Sequence, residues 1–241
     1  MEFTYAAYRD LITLLRNEGY RFCGYFDHEG DDKRVILRHD IDYSMERAVK
    51  LAKVEQEAGV QSTYFALLRT DFYNPASKRT LDLLRQIRDM GHEVGLHFDE
   101  VAYKDCDPAE LGEWIRVEAA LLSEICQSPV RCFSMHRPNQ LTLEKDLQVK
   151  GLVNSYGQEF FRDFKYLSDS RRNWREPVLD IIRSGEYDKL HILTHAFWYG
   201  DQEETISDAV GRFVRSANLE RYDQMAENIR SIEDILHRSE V

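Results

Sequence analysis

The order of apolar runs and helical segments predicts an α/β fold, with parallel strands linked by crossover helices and rolled into a barrel or barrel-like sheet. Three observations carry that expectation. Strand-like and helix-like segments alternate about six or seven times along the chain. The strand-like runs are apolar on successive residues, as strands covered on both faces are. No GxGxxG, GxxxxGKS or GxxxxGKT follows a strand, so an open nucleotide-binding sheet has little support.

The elements follow in order. Thr4 caps a first helix carrying Tyr8, Leu11, Leu14 and Leu15 on one face and ending near Gly19. Residues 34–39 form a buried strand. Ser44 opens a helix with Ala48, Leu51, Ala52 and Val54 inward and Gly59 at its end. Residues 62–68 are strand-like. Residues 78–90 form a helix on Leu81, Leu84 and Ile87, stopped by Gly91, and 93–97 a short strand. Asp107-Pro108-Ala109-Glu110 is a capping box that opens a helix to about Cys126. A strand over 130–135 and a helix over 142–150 come next, then weaker strands over 152–155 and 165–168. A short helix over 177–183 leads to a strand over 190–195. A long amphipathic helix after Thr205 closes the chain, its apolar face packed on its own barrel or on a second subunit of a homodimer.

The 241 residues contain 12 Gly and 5 Pro, thinly spread, and no linker or repeat, so residues 1–241 are expected to be a single domain. At 43% apolar and 12% aromatic, the chain has material for a sizeable core. Its net charge of −11 argues against a general nucleic-acid or acidic-membrane binder, which needs a cationic face. No apolar run reaches the roughly 18 residues of a membrane span, and the first residues lack a basic segment followed by an apolar core. A cytoplasmic location is therefore expected. Cys23, Cys106, Cys126 and Cys132 form no CxxC pair and are expected to be buried thiols.

In parallel α/β folds the chemistry lies at the carboxyl ends of the strands. Those ends here are His39-Asp40-Ile41-Asp42, His97-Phe98-Asp99, His136-Arg137-Pro138 and His195. Imidazoles and carboxylates gathered at one mouth are ligands for a divalent cation, most simply Zn²⁺. Asp40 and Asp42 stand at i and i+2, so extended backbone directs both to the same side. One can hold metal while the other handles a proton. His39 either bonds a neighbouring element or joins the reaction. Trp198 and Tyr199 line the mouth beside His195 or pack in the core.

Arg38-His39-Asp40-Ile41-Asp42, Gly91-His92-Glu93-Val94-Gly95-Leu96-His97, Phe133-Ser134-Met135-His136-Arg137-Pro138 and Ile192-Leu193-Thr194-His195 occur in this order. They resemble the motifs of the polysaccharide deacetylase family, the NodB-homology carbohydrate esterases. The likeness is greatest to a divergent branch tied to surface polysaccharide and O-antigen biosynthesis. The resemblance spans about residues 34–200 and implies a distorted (β/α) barrel of about seven strands. It implies metal-dependent removal of an N-acetyl or other N-acyl group from an amino sugar, small or lipid-linked. It assigns Asp40 as base, Asp42 and His97 as metal ligands, Arg137 as the residue holding the base and His195 as general acid. Trp174 corresponds to an apolar wall for the acyl group, and Asp169 is placed to bind substrate hydroxyls.

Two departures stand out. Four residues after His97, where the family pattern has a second ligating His, stands Val101. His136 is the candidate replacement, with Asp99 or Asp40 the alternatives. The pair Arg38-His39 before Asp40 replaces the usual apolar pair. Were the ligand set incomplete, the barrel would bind a glycan or nucleotide sugar without hydrolysing it. With the set intact, a deformylase or another C–N amide hydrolase is the other outcome.

Overall fold

The computed structural model describes residues 1–104, 107, 110–138, 143 and 146–241. It divides into two compact units, Met1–Asp201 and Gln202–Val241. The first holds α1 (Tyr5–Asn17), β1 (Arg21–Cys23), β2 (Arg34–Ile41), α2 (Met45–Glu57), β3 (Thr63–Leu67), α3 (Lys78–Asp89) and β4 (Glu93–Phe98). It continues with α4 (Leu111–Cys126), β5 (Cys132–Met135), β6 (Val153–Asn154), β7 (Lys165–Ser168), α5 (Val178–Ser184) and β8 (Lys189–Thr194). The second holds α6 (Ile206–Ala226) and the short α7 (Ile232–Ile235).

Every strand pairing is parallel, in the order β6-β5-β4-β3-β2-β8-β7, with β1 alongside the start of β2. This is the distorted (β/α) barrel. Among the described residues no ladder joins β6 to β7. Side chains span that seam instead, where the Tyr156 and Tyr166 rings lie 5.9 Å apart and their hydroxyls 3.3 Å.

The pleat of β2 sorts its side chains between two cores. Val35, Leu37 and Ile41 join the larger one, with Leu11, Leu51, Leu84 and Leu122 of the covering helices. Ile36 joins a smaller one inside the curl, with Cys23, Tyr25, Phe65, Cys132, Phe160 and Phe164. Period-two alternation then directs Arg38 and Asp40 inward and His39 toward the helices. His39 does lie among the helices, its Nε2 2.9 Å from Glu55 of α2 and its Nδ1 2.6 Å from Thr194. The Glu55 carboxylate is fully buried and also accepts from Tyr8, Ser62 and Tyr64. Burial alone would push its pKa up, but His39, then His92 and these donors, hold it at about 2.

Local signals account for the helix ends. Thr4, Ser44 and Ser77 each accept a backbone N–H from the first turn of α1, α2 and α3. Gly91 follows α3 with φ of +92°, a left-handed turn that feeds β4 directly. Thr205 caps α6 in the same way, but that helix stops at Ala226 and a turn separates it from α7. Pro108 and Ala109 of the expected capping box, Cys106, and residues 142, 144 and 145 of the expected helix over 142–150 lie outside the described residues; residues 146–150 are not helical, forming a turn and a bridge from Val149 to Leu152 that closes on Gly151. Strand β1 was not expected, because three residues are too few to show a period.

His191 on β8 is buried between the Tyr25 hydroxyl and the Phe160 carbonyl, each 2.8 Å away. The carbonyl can only accept, so Nδ1 donates to it and Nε2 accepts from Tyr25. Burial, with the Arg38 charge nearby, pushes its pKa from 6.5 to about 3. The unfolded chain therefore takes up a proton between those values that the folded chain refuses. Stability is expected to fall as pH drops from 6.5 toward 3, with His191 contributing at most about 1.4 kcal/mol per pH unit. Denaturant titration across that range should show a shallower dependence in H191N, whatever its stability at pH 7.

Candidate metal and acid–base site

Four strand ends converge on one pocket. Asp40 closes β2 and Asp42 follows it, His97 lies near the end of β4, His136 follows β5, and His195 follows β8. The His136 N–H donates to the carbonyl of Phe98 at 2.8 Å, which carries the β5 end up beside His97.

Asp42, His97 and His136 form the cluster that can hold a metal ion. His97 Nε2 is 3.3 Å from Asp42 Oδ1 and 3.1 Å from His136 Nδ1, and the latter is 3.4 Å from Asp42 Oδ1. Ligands about 2.0–2.1 Å from a tetrahedral ion stand about 3.3 Å from one another. The Asp42 oxygen is buried with no well-aligned hydrogen bond among the described residues. Two imidazole nitrogens in contact with one another and a carboxylate oxygen without an aligned donor, all mutually close, fit a shared cation. Val101, at the position where a second-motif ligand was to be sought, is exposed, and His136 supplies the third donor.

Asp40 lies deeper. Its Oδ2 accepts from Arg38 Nη2 at 2.7 Å and is 3.6 Å from His97 Nε2, while Oδ1 is buried with no partner among the described residues. Burial would push the Asp40 carboxyl up, but Arg38, then His97 and His195, hold it below its ordinary value. The expectation that Arg137 holds Asp40 needs correcting. Arg137 is half-exposed and pairs with Asp99, its Nε 3.3 Å from Oδ1 and its Nη2 on Oδ2. The register explains this: β5 ends at Met135, so its next two residues point His136 at the ligand cluster and Arg137 outward along the rim.

The role expected of Asp169 is also corrected. Its carboxylate is fully buried and occupied, with Oδ1 accepting from His195 Nδ1 at 2.7 Å and Oδ2 from Tyr199 at 3.2 Å. The His195 backbone N–H binds the same carboxylate at 3.1 and 3.2 Å. Nε2 of His195 is thereby aimed at the pocket, 3.9 Å from Asp42 Oδ2. Burial disfavours the imidazolium, but Asp169, then Asp42 and Asp40, raise its pKa to about 9. Trp174 is half-buried against the core, with its indole nitrogen enclosed and without a hydrogen-bond partner among the described residues. Trp198 meets Phe197 edge-on at 4.8 Å; Phe197 meets Tyr43, next to Asp42, at 4.9 Å, and Tyr43 meets Phe72 at 5.0 Å. This aromatic row starts three residues from His195.

No family model and no curated protein matches the chain. Among solved structures it is similar to a family 4 carbohydrate esterase from Bacillus anthracis, at 17% identity and a TM-score of 0.44, over 87% of this chain and 84% of that one. It is similar to a family 4 acetyl xylan esterase from Clostridium thermocellum, in complex with a cobalt ion, at 14% identity and 0.44, over 76% and 83%. A CE4-family pseudoenzyme from Bacillus anthracis is similar at 15% identity and 0.43, over 80% and 63%.

Two outcomes are expected. Equilibrium dialysis against Zn²⁺ should give one ion per chain, and D42A should weaken binding by about a hundredfold or more. In the metal-free protein, NMR should find His195 titrating near 9, and D169N should bring it down toward 6.5.

Proposed function

We propose that this protein is a metal-dependent hydrolase of a linear C–N amide bond, removing an N-acetyl or other N-acyl group from an amino sugar. One observation carries the reading: a three-donor cation site flanked by a partnered carboxylate with a free oxygen and by an imidazole backed by the buried Asp169 carboxylate. These are the parts amide hydrolysis needs, namely a base for water and an acid for the leaving amine.

Asp42, His97 and His136 would hold the ion. Two nitrogens and one oxygen suit Zn²⁺, with a coordination position left open. The ion, when bound, supplies Lewis acidity for the acyl carbonyl and for water. Asp40 takes the water's proton on Oδ1, the oxygen that Arg38 leaves unoccupied. His195 gives its Nε2 proton to the amine nitrogen as the C–N bond breaks, and Asp169 stabilises and orients the imidazolium throughout. Protons balance: water's goes to Asp40, His195's leaves with the amine, and exchange with solvent resets both groups. The products are a short carboxylate and a free amino sugar.

The finer reading takes the substrate as a precursor of a surface polysaccharide, nucleotide-linked or lipid-linked, in the cytoplasm. The likeness of the motifs at 38–42, 91–97 and 133–138 to the family's divergent branch supports it. Trp174 would wall the acyl group, and the aromatic row from Trp198 would offer faces to a pyranose ring.

The test is release of carboxylate and primary amine from UDP-N-acetylglucosamine and from N-acetylglucosamine oligomers by the Zn²⁺-loaded protein, with products identified by mass. D40N should keep its zinc and lose at least about a hundredfold in kcat, the scale of a general base. H195A should lose a similar factor. Zinc-loaded wild type that releases acetate from none of these probes, and no formate from N-formylglucosamine, would refute the reading.

A further inference from the structure

Arg38 is the least expected residue in the barrel interior. It is large, charged and fully buried, in a position where a small barrel ordinarily packs aliphatic side chains. Nothing in the metal cluster or the acid accounts for it, and the arginine anticipated for the base, Arg137, is committed to Asp99 on the rim.

Its surroundings form a socket. Nη2 donates to Asp40 Oδ2 at 2.7 Å and to Ser134 Oγ at 2.5 Å, and Nη1 donates to Ser155 Oγ at 2.7 Å. The guanidinium carbon is 4.6 Å from the Tyr156 ring centre and 5.2 Å from that of Phe65. Hydrogen bonds at the edges and rings over the plane fix a guanidinium as they could not fix an ammonium. The socket is itself supported: a Cβ on Gly95 would lie 2.5 Å from the Phe65 ring, so glycine there lets that ring pack. Its walls come from β3, β5 and the segment after β6, three separate parts of the barrel, and converge on one side chain of β2.

We propose that Arg38 is the positioning residue of the base, fixing Asp40 through Oδ2 so that Oδ1 faces the reacting water, in place of an arginine from the third motif. This rests on the hydrolase reading for the identity of the base. The spacing makes the substitution possible. Arg38 and Asp40 are i and i+2 on one strand, share a face, and lie close enough for the long arginine stem to fold onto its neighbour. The serines and rings then hold the arginine, so the carboxylate has one rotamer to adopt.

Wild type, R38K, R38Q and R137Q are loaded with Zn²⁺ and assayed on N-acetylglucosamine oligomers, with zinc content and crystal structures of each. R38Q is expected to keep one zinc per chain and a KM within about threefold of wild type while losing about a hundredfold in kcat. Added methylguanidinium should recover about tenfold, R38K should fall between, and R137Q should lose no more than about a tenth as much as R38Q. Four results overturn the proposal: R38Q with kcat within about fivefold of wild type, R137Q as impaired as R38Q, zinc lost along with Arg38, or a loss confined to KM. If R38Q does not fold, R38K decides by the same split, reduced kcat at unchanged KM and zinc supporting the proposal and wild-type kcat overturning it. If wild type hydrolyses nothing, the hydrolase reading fails by itself. The crystals then decide here, with a displaced Asp40 carboxylate in R38Q supporting the proposal and an unmoved one overturning it.

Discussion

The cost of taking charge out of water governs this barrel. Strand β2 is paired along both edges and buried along its whole length, yet carries Arg38, His39 and Asp40 in succession. Each is tolerable only with a partner in place. Arg38 and Asp40 pair with one another inside the curl, and His39 meets Glu55 on the helix side. The strand thereby links two polar networks back to back, separated by one backbone thickness. Glu55 in turn needs Tyr8 of α1 and Tyr64 of β3, so the desolvation demands of one strand reach into its neighbours. A barrel in which these groups were merely exposed would not hold its acidic and basic tips so close together.

The positions of the groups follow from geometry that is simple once the sheet exists. Parallel strands share a direction, so their carboxyl ends share a mouth. Within that mouth, burial divides the work. Asp42, His97 and His136 face one another at 3.1–3.4 Å, a spacing that suits a shared cation. Asp40 and His195 each have a dedicated counter-charge behind them, Arg38 and Asp169. A carboxylate and an imidazole, each held charged by its own partner and both close to the ligand cluster, are the pair to which the proposed function gives the roles of base and acid.

Much of this was legible in the order of residues. The capping residues Thr4 and Ser44, the helix start after Thr205 and the glycines after helices mark element ends because they act within one turn. Long apolar runs such as that of β2 mark buried strands because both faces need cover. The grouping of Asp42, His97 and His136 was legible because parallel topology alone brings strand ends together. What escaped depended on contacts across the barrel. Arg38 was visible as a departure before Asp40, but its socket draws on residues 65, 134, 155 and 156, which no spacing connects. Asp169 was noticed and given the wrong task, since only the packed structure shows it buried behind His195. The π-helical turn at Glu159–Asp163 and the three residues of β1 have no period to detect.

The siting of Arg38 bears on how such chains diverge. A guanidinium carried by the same strand as its carboxylate travels with it through any shift of register or loop. With Arg38 beside Asp40, the arginine after β5 is available for another partner, and Arg137 pairs with Asp99. Lineages with this arrangement should tolerate replacement at position 137 while retaining the Arg-x-Asp triplet intact. On the role proposed for Arg38, judging such a relative inert because the arginine after its fifth strand is missing would mistake a relocated part for a lost one.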